Sequence, residues 1–143
     1  MLAKAKLQSI VWTSRISVAE AFYREVLGLA VKARSDGAVV FDVDGADLRL
    51  SPVPSTQPSE HTVLGFAVPD VDEVVAQLQD KGVALERFAS FPHQAYGVLV
   101  TPDGSRVAWF RDPDGNLLSV VHFGVDGHAR PAITGSGARS RLR

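Results

Sequence analysis

The same punctuation occurs twice along this chain. A strand-like run over residues 7–13 leads into a helical pattern with Val18, Phe22, Val26 and Leu29 on one apolar face, and Gly28 closes it. Ser17 stands where a helix N-cap is expected, with Glu20 at capping-box spacing. Three short strand-like runs follow at about 30–34, 38–43 and 46–51, separated by Asp36-Gly37 and Asp44-Gly45, pairs that favour tight hairpins. A linker carrying Pro52, Pro54, Ser55 and Pro58 intervenes, and then the order recurs. Residues 61–68 are strand-like, and Asp70 or Asp72 can cap a helix with Val71, Val74, Val75 and Leu78 on its apolar face, closed by Gly82. Further strands are expected at 83–89, 97–101, 106–111 and 117–123, with turns at Pro102-Asp103-Gly104 and Asp112-Pro113-Asp114-Gly115-Asn116.

The chain therefore reads βαβββ twice, an α+β fold. A single such module cannot bury both faces of its sheet. Two modules, about 7–51 and 61–123, are expected to form a curved mixed sheet with helices on the convex side. They make one domain over residues 1–124. From Val125 to Arg143 the chain carries four arginines against one aspartate, with Gly127, Pro131, Gly135 and Gly137, and reads as a flexible basic tail.

Composition removes several function classes. With 15 Lys+Arg against 16 Asp+Glu there is no basic excess to hold nucleic acid. No apolar run approaches the roughly 20 residues that span a bilayer. The segment after Lys6 is already polar at Gln8 and Ser9, so no secretory leader is expected. The chain has no cysteine, which excludes disulfides, thiolate metal sites and a cysteine nucleophile, and fits a reducing cytoplasm.

Three stretches resemble a known superfamily. Phe22-Tyr23-Arg24-Glu25-Val26-Leu27-Gly28-Leu29 is similar to its first-helix motif, and Pro69-Asp70-Val71-Asp72 to its second-helix entry. Phe110-Arg111-Asp112-Pro113-Asp114-Gly115-Asn116-Leu117-Leu118 resembles its final hairpin. The superfamily is vicinal oxygen chelate, the glyoxalase, bleomycin-resistance and extradiol-dioxygenase group. The resemblance spans about residues 7–123 and implies the fold, but not one function. It also implies homodimers, and, in glyoxalase-like members, a divalent metal held by four side chains on the concave face. Counting from the motifs places those positions at Gln8, Arg49, Val63 and Ser119. Three are poor ligands, and a guanidinium beside a divalent cation is unfavourable in a low-dielectric cavity. A displaced set of Gln8, Asp47 and His61 lacks a fourth ligand.

Strand parity aims Gln8, Ile10 and Trp12, Asp47, Arg49 and Ser51, Val63, Gly65 and Ala67, and Leu117, Ser119 and Val121 at the concave face. Trp109 or Phe110 adds an aromatic, and the loop from Phe91 through His93 to Tyr96 covers one end. This is the profile of a small-molecule site: Trp12 as a platform, Arg49 as an anion anchor. The expected ligand-binding set is Gln8, Ile10, Trp12, Arg49, Val63, His93, Tyr96, Trp109 and Ser119, with no metal and no other cofactor. The leading reading is a metal-free protein that binds or sequesters a small apolar or aromatic molecule. The alternatives are a metal-dependent lyase, isomerase or dioxygenase with an atypical ligand set, and a metal-free enzyme using His93 or Tyr96. Asp112 and Asp114 are read as turn residues.

Overall fold

The computed structural model describes residues 1–124. The first module runs β1 (Gln8–Thr13), α1 (Ile16–Ala21) passing into a π-helical turn (Phe22–Val26), β2 (Ala30–Ser35), β3 (Ala38–Val43) and β4 (Ala46–Pro52). The second runs β5 (Thr62–Ala67), α2 (Val71–Asp80), β6 (Leu99–Val100), β7 (Arg106–Arg111) and β8 (Leu117–His122). Each module builds a four-stranded mixed sheet with the same internal order, β1-β4-β3-β2 and β5-β8-β7-β6. In both, the first strand lies parallel to the last and the other pairings are antiparallel. The duplicated α+β architecture read from the sequence is thus present, as two four-stranded sheets rather than one continuous sheet. The basic segment from Val125 onward lies outside the described residues.

Local chemistry explains most of the elements. Asp44 and Gly45 have φ of 49° and 91°, as do Asp36 and Gly37 at 53° and 79°. Two successive left-handed residues are what the twisted two-residue hairpin demands, and Asp-Gly supplies them at little cost. Asp70 caps α2, its Oδ1 accepting from the backbone N–H of Asp72 and Glu73 at 3.0 and 3.2 Å. The α2 face of Val71, Val75 and Leu78 is buried as expected.

Two expectations fail. Ser17 is not the first helix's cap: the helix begins at Ile16 and its N-cap, Arg15, makes no side-chain capping bond. Thr13 Oγ1 instead accepts the Arg15 N–H at 3.0 Å. Glu20 does not close a capping box; it receives both arms of the Arg34 guanidinium, at 2.6 and 2.7 Å. That fork, from β2, holds the Glu20 carboxyl below the usual carboxylate range. The expected strand at 83–89 reduces to one bridge, Glu86 opposite Trp109.

One apolar core joins the modules. Val11, Tyr23, Phe41, Leu48 and Leu50 of the first pack into the same cluster as Val71, Val75, Phe110, Leu118 and Val120 of the second. At about 1.5–3 kcal/mol per fully buried large side chain, this cluster dominates the stabilising terms. A polar lock completes the junction. The final hairpin carries it: Asp114 accepts from Ser14 N and Oγ at 2.9 and 2.8 Å and from Thr13 Oγ1. Asn116 Nδ2 reaches the Trp12 carbonyl at 3.0 Å. Asp112 and Asp114, read from the sequence as turn residues alone, therefore also tie the last hairpin to the end of β1.

Candidate ligand-binding site

Val11 and Thr13 turn into the core, which leaves Gln8, Ile10 and Trp12 on the opposite, open face of the first sheet. Ile10 is 54% exposed and Trp12 61% exposed. The parallel register sets Gln8 beside Asp47, Ile10 beside Arg49 and Trp12 beside Ser51. Arg49 is also the cross-strand neighbour of Val40, and its guanidinium reaches over to donate to the Ser35 carbonyl at 3.4 Å. Asp47, two residues before Arg49 on the same strand face, is its nearest candidate partner in β4. The structure gives Asp47 to Lys32 instead, at 2.6 Å, and that bond raises the lysine's pKa. Arg49 has no carboxylate partner among the described residues.

On the second sheet the open face is aromatic. Trp109 lies in register with Ser119, which pairs in turn with Gly65, while Phe110 is buried in the core. Gly65 leaves room there: a Cβ would sit 3.1 Å from Ser119 Oγ. Phe91 stacks on the Trp109 ring at 6.3 Å and 14°, and Phe88 meets the same ring edge-on at 5.2 Å. Phe88 was not singled out from the sequence, because the segment reads as a strand and its ring shows no periodic signal. Trp109 Nε1 donates to Thr62 Oγ1 at 3.1 Å. A bulge between Thr62 and Leu64 leaves Val63 without a ladder partner and 47% exposed.

His93 belongs to this cluster, its ring 6.0 Å from that of Trp109. Its Nε2 accepts the Phe88 N–H at 3.0 Å and its Nδ1 lies 2.8 Å from the Gly97 carbonyl. A carbonyl can only accept, so Nδ1 is the donor in that contact. Both nitrogens are thereby spent on backbone groups, which leaves His93 no free nitrogen for the metal-free chemistry that was its alternative role. Tyr96 is a second correction. It does not join the open face: its hydroxyl bonds to Arg106, which pairs with Asp72 of α2 at 2.8 Å.

The structure thus gathers Gln8, Ile10, Trp12 and Arg49 on one sheet and Val63, Trp109 and Ser119 on the other, with the loop residue His93 against Trp109. A cavity of about 120 Å³ lies between the modules, lined by Ser9, Val43, Ala46, Asp47 and Leu48 of the first and Leu64, Gly65 and Phe66 of the second.

The family model of the Glyoxalase/Bleomycin resistance protein/Dioxygenase superfamily matches residues 7–120. The chain belongs to that superfamily. It is similar in fold to a lactoylglutathione lyase from Agrobacterium tumefaciens, with 22% identity and a TM-score of 0.65 over 83% of this chain and 93% of that one. A superfamily member from Sphaerobacter thermophilus DSM 20745 gives 21% and 0.66, over 85% and 99%. TnmS3, an antibiotic binding protein from Streptomyces sp. CB03234, gives 25% and 0.58, over 85% and 98%. No curated protein matches the sequence at a significant level.

The duplication of the superfamily fold lets the expected metal positions be checked by register. Arg49 does not face Gln8, as counting from the motifs implied; Asp47 does. The matching pair in the second module is Thr62 and Leu117, and Leu117 is buried. A divalent ion needs several nitrogen or oxygen ligands converging at about 2.0–2.2 Å. Among the described residues no three His, Asp or Glu side chains converge in that way. His61 is exposed at the start of β5, outside any such group. Nor is any described helix long and apolar enough to cross a membrane.

Proposed function

We propose that this chain is a metal-free binding protein of the superfamily, holding a small planar aromatic molecule and preferring one with a carboxylate or phenolate. The observation that carries this reading is the row Ile10, Arg49, Trp12. An exposed aliphatic and an exposed indole flank a guanidinium that has no carboxylate partner among the described residues. Apolar surface left in water is costly, and a fork of donors beside it suits a flat anion. The Phe88–Phe91–Trp109 cluster offers a second stacking wall. The antibiotic-binding role of TnmS3 supports sequestration as the use of such a face. Exposed apolar residues outside that row, Leu7 and Val18, support a homodimer in which paired copies would cover them. A cysteine-free chain suits the reducing cytoplasm as its place of work.

A metal-dependent lyase, isomerase or dioxygenase has one observation in its favour, the Gln8–Asp47 pair on adjacent strands. Lys32 already neutralises that carboxylate.

The test is a fluorescence titration with matched aromatic acids and amides, alongside metal analysis of the purified protein. The expected result is saturable quenching that disappears in Trp12→Ala, with acids bound more tightly than amides. Stoichiometric Zn, Ni, Fe or Mn lost on Gln8→Ala would overturn the reading.

A further inference from the structure

We propose that the helix side of the fold carries a second small-molecule site, separate from the open sheet face, that takes a neutral apolar molecule of one or two rings. The site is a cavity of about 190 Å³ between the end of the first helix, α2 and the helix-facing side of the second sheet. Val26, Leu27 and Leu29 form one wall, Val74 of α2 another, and Phe66 of β5 the floor. Gln77 is its one polar lining residue, and no charged side chain lines it.

The space is a half-open groove whose apolar lining meets water, which is costly beside a well-packed core. The cause is local. The first helix does not end as a regular α-helix: Leu27 N–H bonds to the Phe22 carbonyl at 3.1 Å, five residues back, and Leu29 N–H to that of Tyr23 at 3.0 Å. A π turn widens the helix by inserting a residue, and such turns recur at functional sites. The three residues that line the cavity from this side are the ones at and just beyond the widened turn. They stay half-buried, as do Phe66 and Val74. Apolar side chains thus surround the space without closing it.

Its chemistry selects the occupant. An ion would lose its hydration with nothing to compensate. Water has few partners on an apolar wall, so an apolar ring gains by displacing it. The volume is too small for a peptide segment or a helix. Gln77 is exposed, and its amide makes no hydrogen bond among the described residues. It can therefore meet one hydroxyl or carbonyl on the ring.

The probes are toluene and p-cresol, followed by methyl-resolved NMR on the full chain. The expected result is saturable shifts at the methyls of Val26, Leu29 and Val74 that persist in Trp12→Ala. Val74→Phe should fill the space and abolish the shifts. Gln77→Leu, at the exposed rim, should weaken p-cresol by roughly three- to tenfold and leave toluene unchanged. Absence of saturable shifts in the wild type overturns the proposal, as does shifting confined to Trp12 and Ile10. Should Val74→Phe not fold, equal loss of both probes in Gln77→Leu overturns it. Failure here leaves the open-face reading intact, since the acid and amide titration reports on Trp12 and Arg49.

Discussion

The Tyr23 hydroxyl donates to the Asp112 carboxylate at 2.7 Å inside the core, tying the helix of the first module to the hairpin of the second. Asp112 also takes the N–H groups of Asp114 and Asn116 at 2.9 and 3.0 Å and the Asn116 side chain at 2.8 Å. Burial, with the nearby carboxylate, pushes the Tyr23 phenol well above its ordinary range, so it stays a donor at any working pH. Tyr23→Phe keeps the ring and removes the donor. It should lower stability by about 1–3 kcal/mol, the cost of under-satisfying a buried charged acceptor. Urea denaturation measures this, and an unchanged midpoint would contradict the lock.

Asp114 supplies a pH dependence. Burial alone would raise its pKa, but the hydrogen bonds from Thr13, Ser14 and Thr56 prevail and hold the carboxyl below the usual range. A carboxyl with a lowered folded pKa stabilises the protein above its unfolded pKa, and the gain fades as pH falls through the folded value. The wild type should therefore exceed Asp114→Asn in stability at neutral pH. That advantage should shrink below about pH 4, where ordinary aspartates take up protons. Parallel acid titrations read by circular dichroism test it, and a constant difference down to low pH would refute it.

Arg49→Ala should leave the fold intact, because the guanidinium's single hydrogen bond is a long one to Ser35. Its effect should fall on binding. Losing a charged hydrogen bond worth about 1.5–3 kcal/mol weakens an aromatic acid by roughly ten- to a hundredfold. The matching amide should bind as before. Calorimetry on the two ligands separates this from a general loss of the pocket.

His93→Ala should free the loop it fastens. The Phe88 N–H loses its acceptor, and the Trp109 ring loses a neighbour. Amide exchange at Phe88 should speed up and the Trp109 emission should move to the red, while β1 to β4 stay protected. Unchanged exchange at Phe88 would show that other contacts hold the loop.

The fold was legible where local chemistry decides it. The Asp-Gly hairpins, the Asp70 cap and the buried row Val71, Val75, Leu78 each follow from a few neighbouring residues. Of the candidate site, only the shared face was legible, since parity alone puts Ile10, Trp12 and Arg49 on it. What escaped were effects carried between distant segments. Asp114 fixes Thr13 and Ser14, so the first helix starts ahead of Ser17. The β1–β4 register puts Asp47, not Arg49, beside Gln8, and the β5 bulge takes Val63 out of its ladder. Tyr96 follows Arg106 to the α2 side because Asp72 waits there, a partner no periodicity reveals.

The polar lock also bears on how the chain reaches this state. Thr13 and Ser14 meet Asp114 across about a hundred residues, so the junction cannot form until both ends of the chain have been brought together. Each module, by contrast, closes its hairpins locally. The modules should gain structure early and dock late, with the lock absent from the rate-limiting barrier. Weakening it should then leave the folding rate nearly untouched and speed unfolding, shortening the lifetime of the native protein rather than delaying its birth.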